Sequence, residues 1–65
     1  MIILLNGESR DVSARDLDAL VDELDLTADT VATALNQDFV PRTERAATIL
    51  TEGDAVEILT PMQGG

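Results

Sequence analysis

Not one cysteine occurs in this chain of 65 residues, and that absence narrows the folding problem more than any motif does. A domain this short lies near the lower limit for folding, where disulfides or a structural metal usually assist. Without thiols there is neither a disulfide framework nor a thiolate zinc site. The chain must stand on one hydrophobic core. Apolar residues make up 45% of it, an ordinary share for a folded domain. A single domain over residues 1–65 follows.

The elements of that core can be read in order. Met1 to Leu5 is a short apolar run closed by Asn6-Gly7, the dipeptide that suits a type I′ hairpin because both turn residues need positive φ. That turn sets Leu5 opposite Glu8, Ile3 opposite Arg10 and Met1 opposite Val12, with Val12 directed to the core. Ser13, followed three residues on by Asp16, predicts a capping box. Leu17, Leu20, Val21 and Leu24 recur at helical spacing and predict a helix over roughly 14–24. Asp18, Asp22, Glu23 and Asp25 fall off that stripe, and the later acids oppose the helix dipole. Tertiary packing must therefore hold the helix.

Beyond a connector at 26–29, residues 31–35 predict a third strand and Phe39-Val40 a brief returning one, stopped by Pro41. Residues 42–48 suit one helical turn, and Ile49 and Leu50 add a core contact. Glu52-Gly53-Asp54 is a turn. Residues 55–60 form the last strand, with Val56 and Ile58 on one face. The result is an α+β domain, a mixed sheet of 4–5 strands covered by one main helix. The order β-β-α-β-β-β resembles the β-grasp arrangement of ubiquitin, in which the last strand is central.

Thirteen acids stand against four arginines and no lysine, for a net charge of −9. Such a field repels phosphate backbones and argues against nucleic-acid binding. It favours partners with a basic face, in contacts that weaken with salt. Arg42 and Arg45 read as solvated side chains that relieve local repulsion. No apolar run approaches the roughly 18 residues of a membrane span, and no signal peptide is recognisable. A free monomer in the cytoplasm is expected.

The inventory of reactive groups is nearly empty. Histidine, cysteine, tyrosine and tryptophan are all missing, which removes the usual general acid–base groups, nucleophile–base pairs and imidazole metal sites. Adjacent carboxylates such as Asp22-Glu23 converge with nothing, so neither metal binding nor glycoside hydrolysis is expected. The chain reads as something other than an enzyme, with no bound cofactor. What remains is the end of the sequence. Gly64-Gly65 is the thinnest backbone available, preceded by an arm of Thr60-Pro61-Met62-Gln63, and its carboxylate can be threaded where side chains would clash.

Asn36, Val40-Pro41-Arg42, Gly53-Asp54 and the terminal Gly64-Gly65, in that order in so short a chain, resemble the ThiS family. These are the sulfur carriers of thiazole formation in thiamine biosynthesis, and the resemblance runs the whole length. It implies a ubiquitin-like β-grasp whose residues 60–65 form an extended tail. It also implies that a ThiF-type enzyme, using ATP, adenylates Gly65. A sulfur donor such as a cysteine desulfurase then turns Gly65 into a thiocarboxylate, which passes to thiazole synthase. Gly64, Gln63 and Met62 would be the tail that enters the partner's active site, with Met62 able to anchor it. The family often carries an aromatic residue where Arg45 stands, which implies looser packing at that corner. Sister carriers of the molybdopterin synthase small-subunit type, or of cysteine or thiolated-tRNA synthesis, share fold and tail. A β-grasp interaction module with an inert tail is the alternative of a different class.

Overall fold

The computed structural model describes residues 1–61. Its elements are β1 (Ile2–Leu5), β2 (Glu8–Asp11), α1 (Leu17–Glu23), β3 (Ala32–Leu35), β4 (Asp38–Val40), a 3₁₀ helix (Arg42–Ala47) and β5 (Ala55–Leu59). The five strands form one sheet in the order β2-β1-β5-β3-β4. β5 runs parallel to β1 and antiparallel to β3. The last strand is thus the middle of the sheet, as the β-grasp arrangement requires.

The first hairpin closes as its turn dictates. Asn6 and Gly7 have φ of 50° and 84°, and the register sets Ile3 against Arg10 and Leu5 against Glu8. Met1 and Val12 exchange backbone hydrogen bonds of 2.8 Å in both directions. Val12 is buried among the core residues.

The helix begins later than its sequence suggests. Asp16, not Ser13, is the cap, and its carboxylate accepts from the Ala19 amide at 2.7 Å. The amides of Ser13 and Ala14 instead donate to the Glu23 carboxylate, at 3.1 and 2.7 Å. An acid that opposes the dipole thereby gains local partners and ties the helix end to the strand exit. The helix ends in a Schellman arrangement: Asp25 takes φ 60°, its amide donates to the Asp22 carbonyl, and the Leu26 amide donates to the Val21 carbonyl.

Leu17, Leu20 and Val21 are buried against Ile3, Val56 and Ile58 on the inner face of the sheet. Each such side chain contributes roughly 1.5–3 kcal/mol. Leu50 joins them, but Ile49 is 63% exposed, contrary to the expectation for the pair. Asp16 and Ile49 form an isolated antiparallel bridge, with the Leu17 amide donating to the Thr48 carbonyl and the Leu50 amide to the Arg15 carbonyl. Alternation along that short extended piece turns Leu50 in and Ile49 out.

Arg45 is the largest departure. It is only 2% exposed, whereas its sequence context suggested a solvated arginine in a loosely packed corner. Its Nε donates to the Thr33 hydroxyl at 3.0 Å, and its two terminal nitrogens donate to the carbonyls of Ala28 (3.0 Å) and Val31 (2.7 Å). Thr33 in turn donates to the Val40 carbonyl at 2.8 Å. The guanidinium fork thus fills the corner and ties the connector after α1 to β3. Arg42, by contrast, is exposed and pairs with the equally exposed Asp29, a contact of little energetic weight.

Candidate functional site

Met62, Gln63, Gly64 and Gly65, the residues singled out in the sequence, lie outside the described residues. What the structure shows is the strand that leads to them. β5 is gripped from both sides by asparagine turns.

On the β1 side, the Asn6 amide donates to the Val56 carbonyl at 2.9 Å. The Asn6 side chain then acts as one more strand residue: its Nδ2 donates to the Ile58 carbonyl (3.1 Å) and its Oδ1 accepts from the Ile58 amide (2.9 Å). Two ladder partners are thereby replaced by a single primary amide, which has both a donor and an acceptor to offer.

On the β3 side, Asn36 and Gln37 turn the chain with φ of 50° and 75°. Asn36 donates its amide to the Ala55 carbonyl at 2.7 Å and accepts from the Ala55 amide at 2.9 Å. Its Nδ2 donates to Asp54 at 3.2 Å. Asp54 closes the preceding turn, in which Gly53 has φ 87°, by accepting from the Thr51 amide at 2.8 Å. That amide, chiefly, and the Asn36 amide hold the Asp54 carboxyl below its ordinary 3.8, against a smaller opposing effect of burial. Asn36 and Gly53-Asp54, weak as separate turn signals, are therefore one lock on the start of the central strand.

The outer face of the sheet, opposite α1, is the second component, and sequence reasoning did not assemble it. Alternation along β5 sends Val56 and Ile58 inward and Ala55, Glu57 and Leu59 outward. The register places Leu4 beside Ala55, Ala34 between Glu57 and Phe39, and Ala32 beside Leu59. Phe39 and Leu59 are 70% and 68% exposed, and Ile2 and Leu4 are also open to solvent. Small alanines between large exposed side chains leave a shallow, mostly apolar groove of about 170 Å³ between Phe39 and Leu59. The signal was available in the exposed half of each strand's alternation, but only the strand order brings the halves together.

A wider cleft of about 580 Å³ lies on the opposite side, between α1 and the 3₁₀ helix, lined by Asp16, Asp18, Asp22 and Arg42 among others. It is polar, and β5 contributes nothing to it. No cluster of acids among the described residues is arranged to hold a metal ion. No described helix is long and apolar enough to cross a membrane.

β5, the strand that leads to residues 62–65, is thus central in the sheet and lies beside an exposed apolar face. The ThiS family model matches residues 3–65. The chain belongs to the ThiS family. It is 33% identical over 64 residues to the sulfur carrier protein ThiS of Thermus thermophilus, covering 98% of this chain and all of that one. It is also 35% identical over 66 residues to a thiazole synthase of Paramagnetospirillum magneticum, of whose length it spans only about a fifth. In structure it is similar to the crystal structure of the thiamine biosynthesis protein ThiS from Geobacter metallireducens, with a TM-score of 0.84, 32% identity and full coverage of both chains. That likeness extends the ThiS family's ubiquitin-like β-grasp over this chain.

Proposed function

We propose that this chain, a sulfur carrier protein of the ThiS family in thiamine biosynthesis, carries its sulfur on the carboxylate of Gly65. A carboxylate is a poor electrophile and must first be activated. A carboxylate oxygen of Gly65 attacks the α-phosphorus of ATP on a ThiF-type enzyme, forming the acyl adenylate and releasing pyrophosphate. A sulfur nucleophile then attacks the acyl carbon, and AMP leaves with the bonding electrons. When the donor is a persulfide relayed from a cysteine desulfurase, a thiol reductant cleaves the resulting acyl disulfide and leaves the thiocarboxylate. That sulfur passes to thiazole synthase. The chain supplies no catalytic group and binds no cofactor of its own; the ATP belongs to the partner. The demand for ATP and reduced thiols assigns the reaction to the cytoplasm.

The observation that carries this reading is the family match extending through Gly64-Gly65. Three further facts support it. The chain has no cysteine, so any sulfur it carries must sit at its end. The strand before the tail is central and locked on both sides. A relative named thiazole synthase contains a segment similar to this chain within its own polypeptide, which suits a carrier and synthase that act on one another. The outer sheet face serves as the docking surface for the partner, and Met62 and Gln63 carry the diglycine into its channel.

The test is the intact mass of the protein coexpressed with a ThiF-type enzyme and a cysteine desulfurase. One oxygen replaced by sulfur, located on Gly65, is the expected result. An unmodified mass, with the same partners active on a known carrier, would overturn the reading. Extension by one residue after Gly65 should abolish the modification and leave the melting temperature unchanged.

A further inference from the structure

The outer face carries one feature that an apolar docking surface does not need. Among the outward residues of β1, β3, β4 and β5, Glu57 is the single charge. It stands in the central strand, with Ala34 directly beside it in the register and Ala55 and Leu59 as its same-face neighbours along β5. It lines the groove between Phe39 and Leu59, and also the broader depression of about 510 Å³ that reaches to Leu4 and Gly7. No arginine lines either one. The chain's four arginines are committed elsewhere or face another way. Arg45 is buried, Arg42 pairs with Asp29, Arg10 lines a groove with Leu24 and Ile58 on the helix side, and Arg15 precedes α1. Among the described residues no ion pair includes Glu57.

Water satisfies that carboxylate while the face is open. A partner that covers the face with apolar atoms alone would strip the water and leave a charge buried and unpaired, which is strongly unfavourable. A partner that brings a cation to the same point offsets that loss with the ion pair it forms, and the charge then discriminates between them. We infer that Glu57 is a specificity-determining residue of the carrier, and that the adenylating enzyme docks on this face through an apolar surface bearing an arginine or lysine that meets it. The inference rests on the carrier reading above. The occupant is the adenylating enzyme because the face is continuous, through Leu59, with the strand that delivers the tail to be adenylated.

The experiment is ATP–pyrophosphate exchange by a ThiF-type enzyme, with the carrier concentration varied. Glu57→Lys should raise KM by about 30-fold or more, because opposed like charges and a lost pair act together. Glu57→Gln should raise it about tenfold. In both, kcat should stay within about twofold, since the tail chemistry is untouched. Asp22→Lys, an equal change of net charge on the helix side, should move KM by less than about twofold. Added salt should raise the KM of the parent protein and have a smaller effect on Glu57→Gln. Parent-like KM values for both Glu57 variants would overturn the inference, as would a lower KM for Glu57→Gln or an equal shift in Asp22→Lys. Should Glu57→Lys fail to fold, Glu57→Gln decides alone. Exchange absent with the unaltered carrier would instead overturn the carrier reading itself, and this inference with it.

Discussion

The two faces of the sheet are made by the same strands and do opposite things. Inward, Ile3, Thr33, Val40, Val56 and Ile58 are buried and belong to one core with α1. Outward, Leu4, Ala32, Ala34, Phe39 and Leu59 present nearly as much apolar character to solvent, with nothing of the chain's own described residues laid over it. A residue's partner in register, not its hydrophobicity, decides which role it has. Apolar side chains on the inner face stabilise the fold, and those on the outer face remain open to solvent.

The sharpest way to break that comparison is to cut the inner face. Leu20→Ala should destabilise by about 2–5 kcal/mol, a large share of the roughly 3–10 kcal/mol available to a domain of this size. Chemical denaturation would read it, and a loss under about 1 kcal/mol would contradict the burial. Arg45→Ala comes next, at about 2–3 kcal/mol, because it orphans buried acceptors. Arg45→Lys should not restore it, since an ammonium cannot reach three divergent oxygens. Asn6→Ala should cost about 1–2 kcal/mol and speed amide exchange at Ile58. Phe39→Ala, on the outer face, should change stability by no more than about 0.5 kcal/mol while raising KM for adenylation on the order of tenfold. A Phe39 variant that loses stability but keeps its KM would erase the distinction between the faces.

The smallest effect is a matter of pH. The Asp54 carboxyl is held below 3.8 in the folded state, so its contribution is complete above that value. It is lost as pH falls through the depressed folded value. Acid titration of the melting temperature should therefore show a shallower decline for Asp54→Asn over that range. Identical curves would mean that the turn lock is not felt in stability.

Much of the inner face was legible in the residues. Asn6-Gly7 fixes a turn by φ alone, and the spacing of Leu17, Leu20 and Val21 fixes a helical stripe. Both are local facts. The misreadings share a non-local cause. Arg45 is buried because two carbonyls from 28–31 and the Thr33 hydroxyl converge on it, across more than ten residues of sequence. Ser13 loses the cap to Asp16 because Glu23 returns from the far end of the helix to take its amide. Ile49 is turned out by its bridge to Asp16. The outer face was invisible for a related reason. Leu4, Ala34 and Leu59 become neighbours only once β5 slips between β1 and β3, an ordering that no single stretch encodes. The diglycine was conspicuous as a pattern, and the chemistry proposed for it rests on the family match rather than on the described residues.

The asparagine turns on either side of β5 have a mechanical consequence. A pull applied at the C-terminal end of β5, along the strand, loads the sheet at its centre. The load falls on the ladders to β1 and β3 in shear, with their hydrogen bonds resisting together rather than opening one at a time. Asn6 extends the ladder on one flank to Ile58, close to where the force enters, and Asn36 anchors the far end at Ala55. The strand is riveted at both ends, at Ala55 by Asn36 and at Ile58 by Asn6.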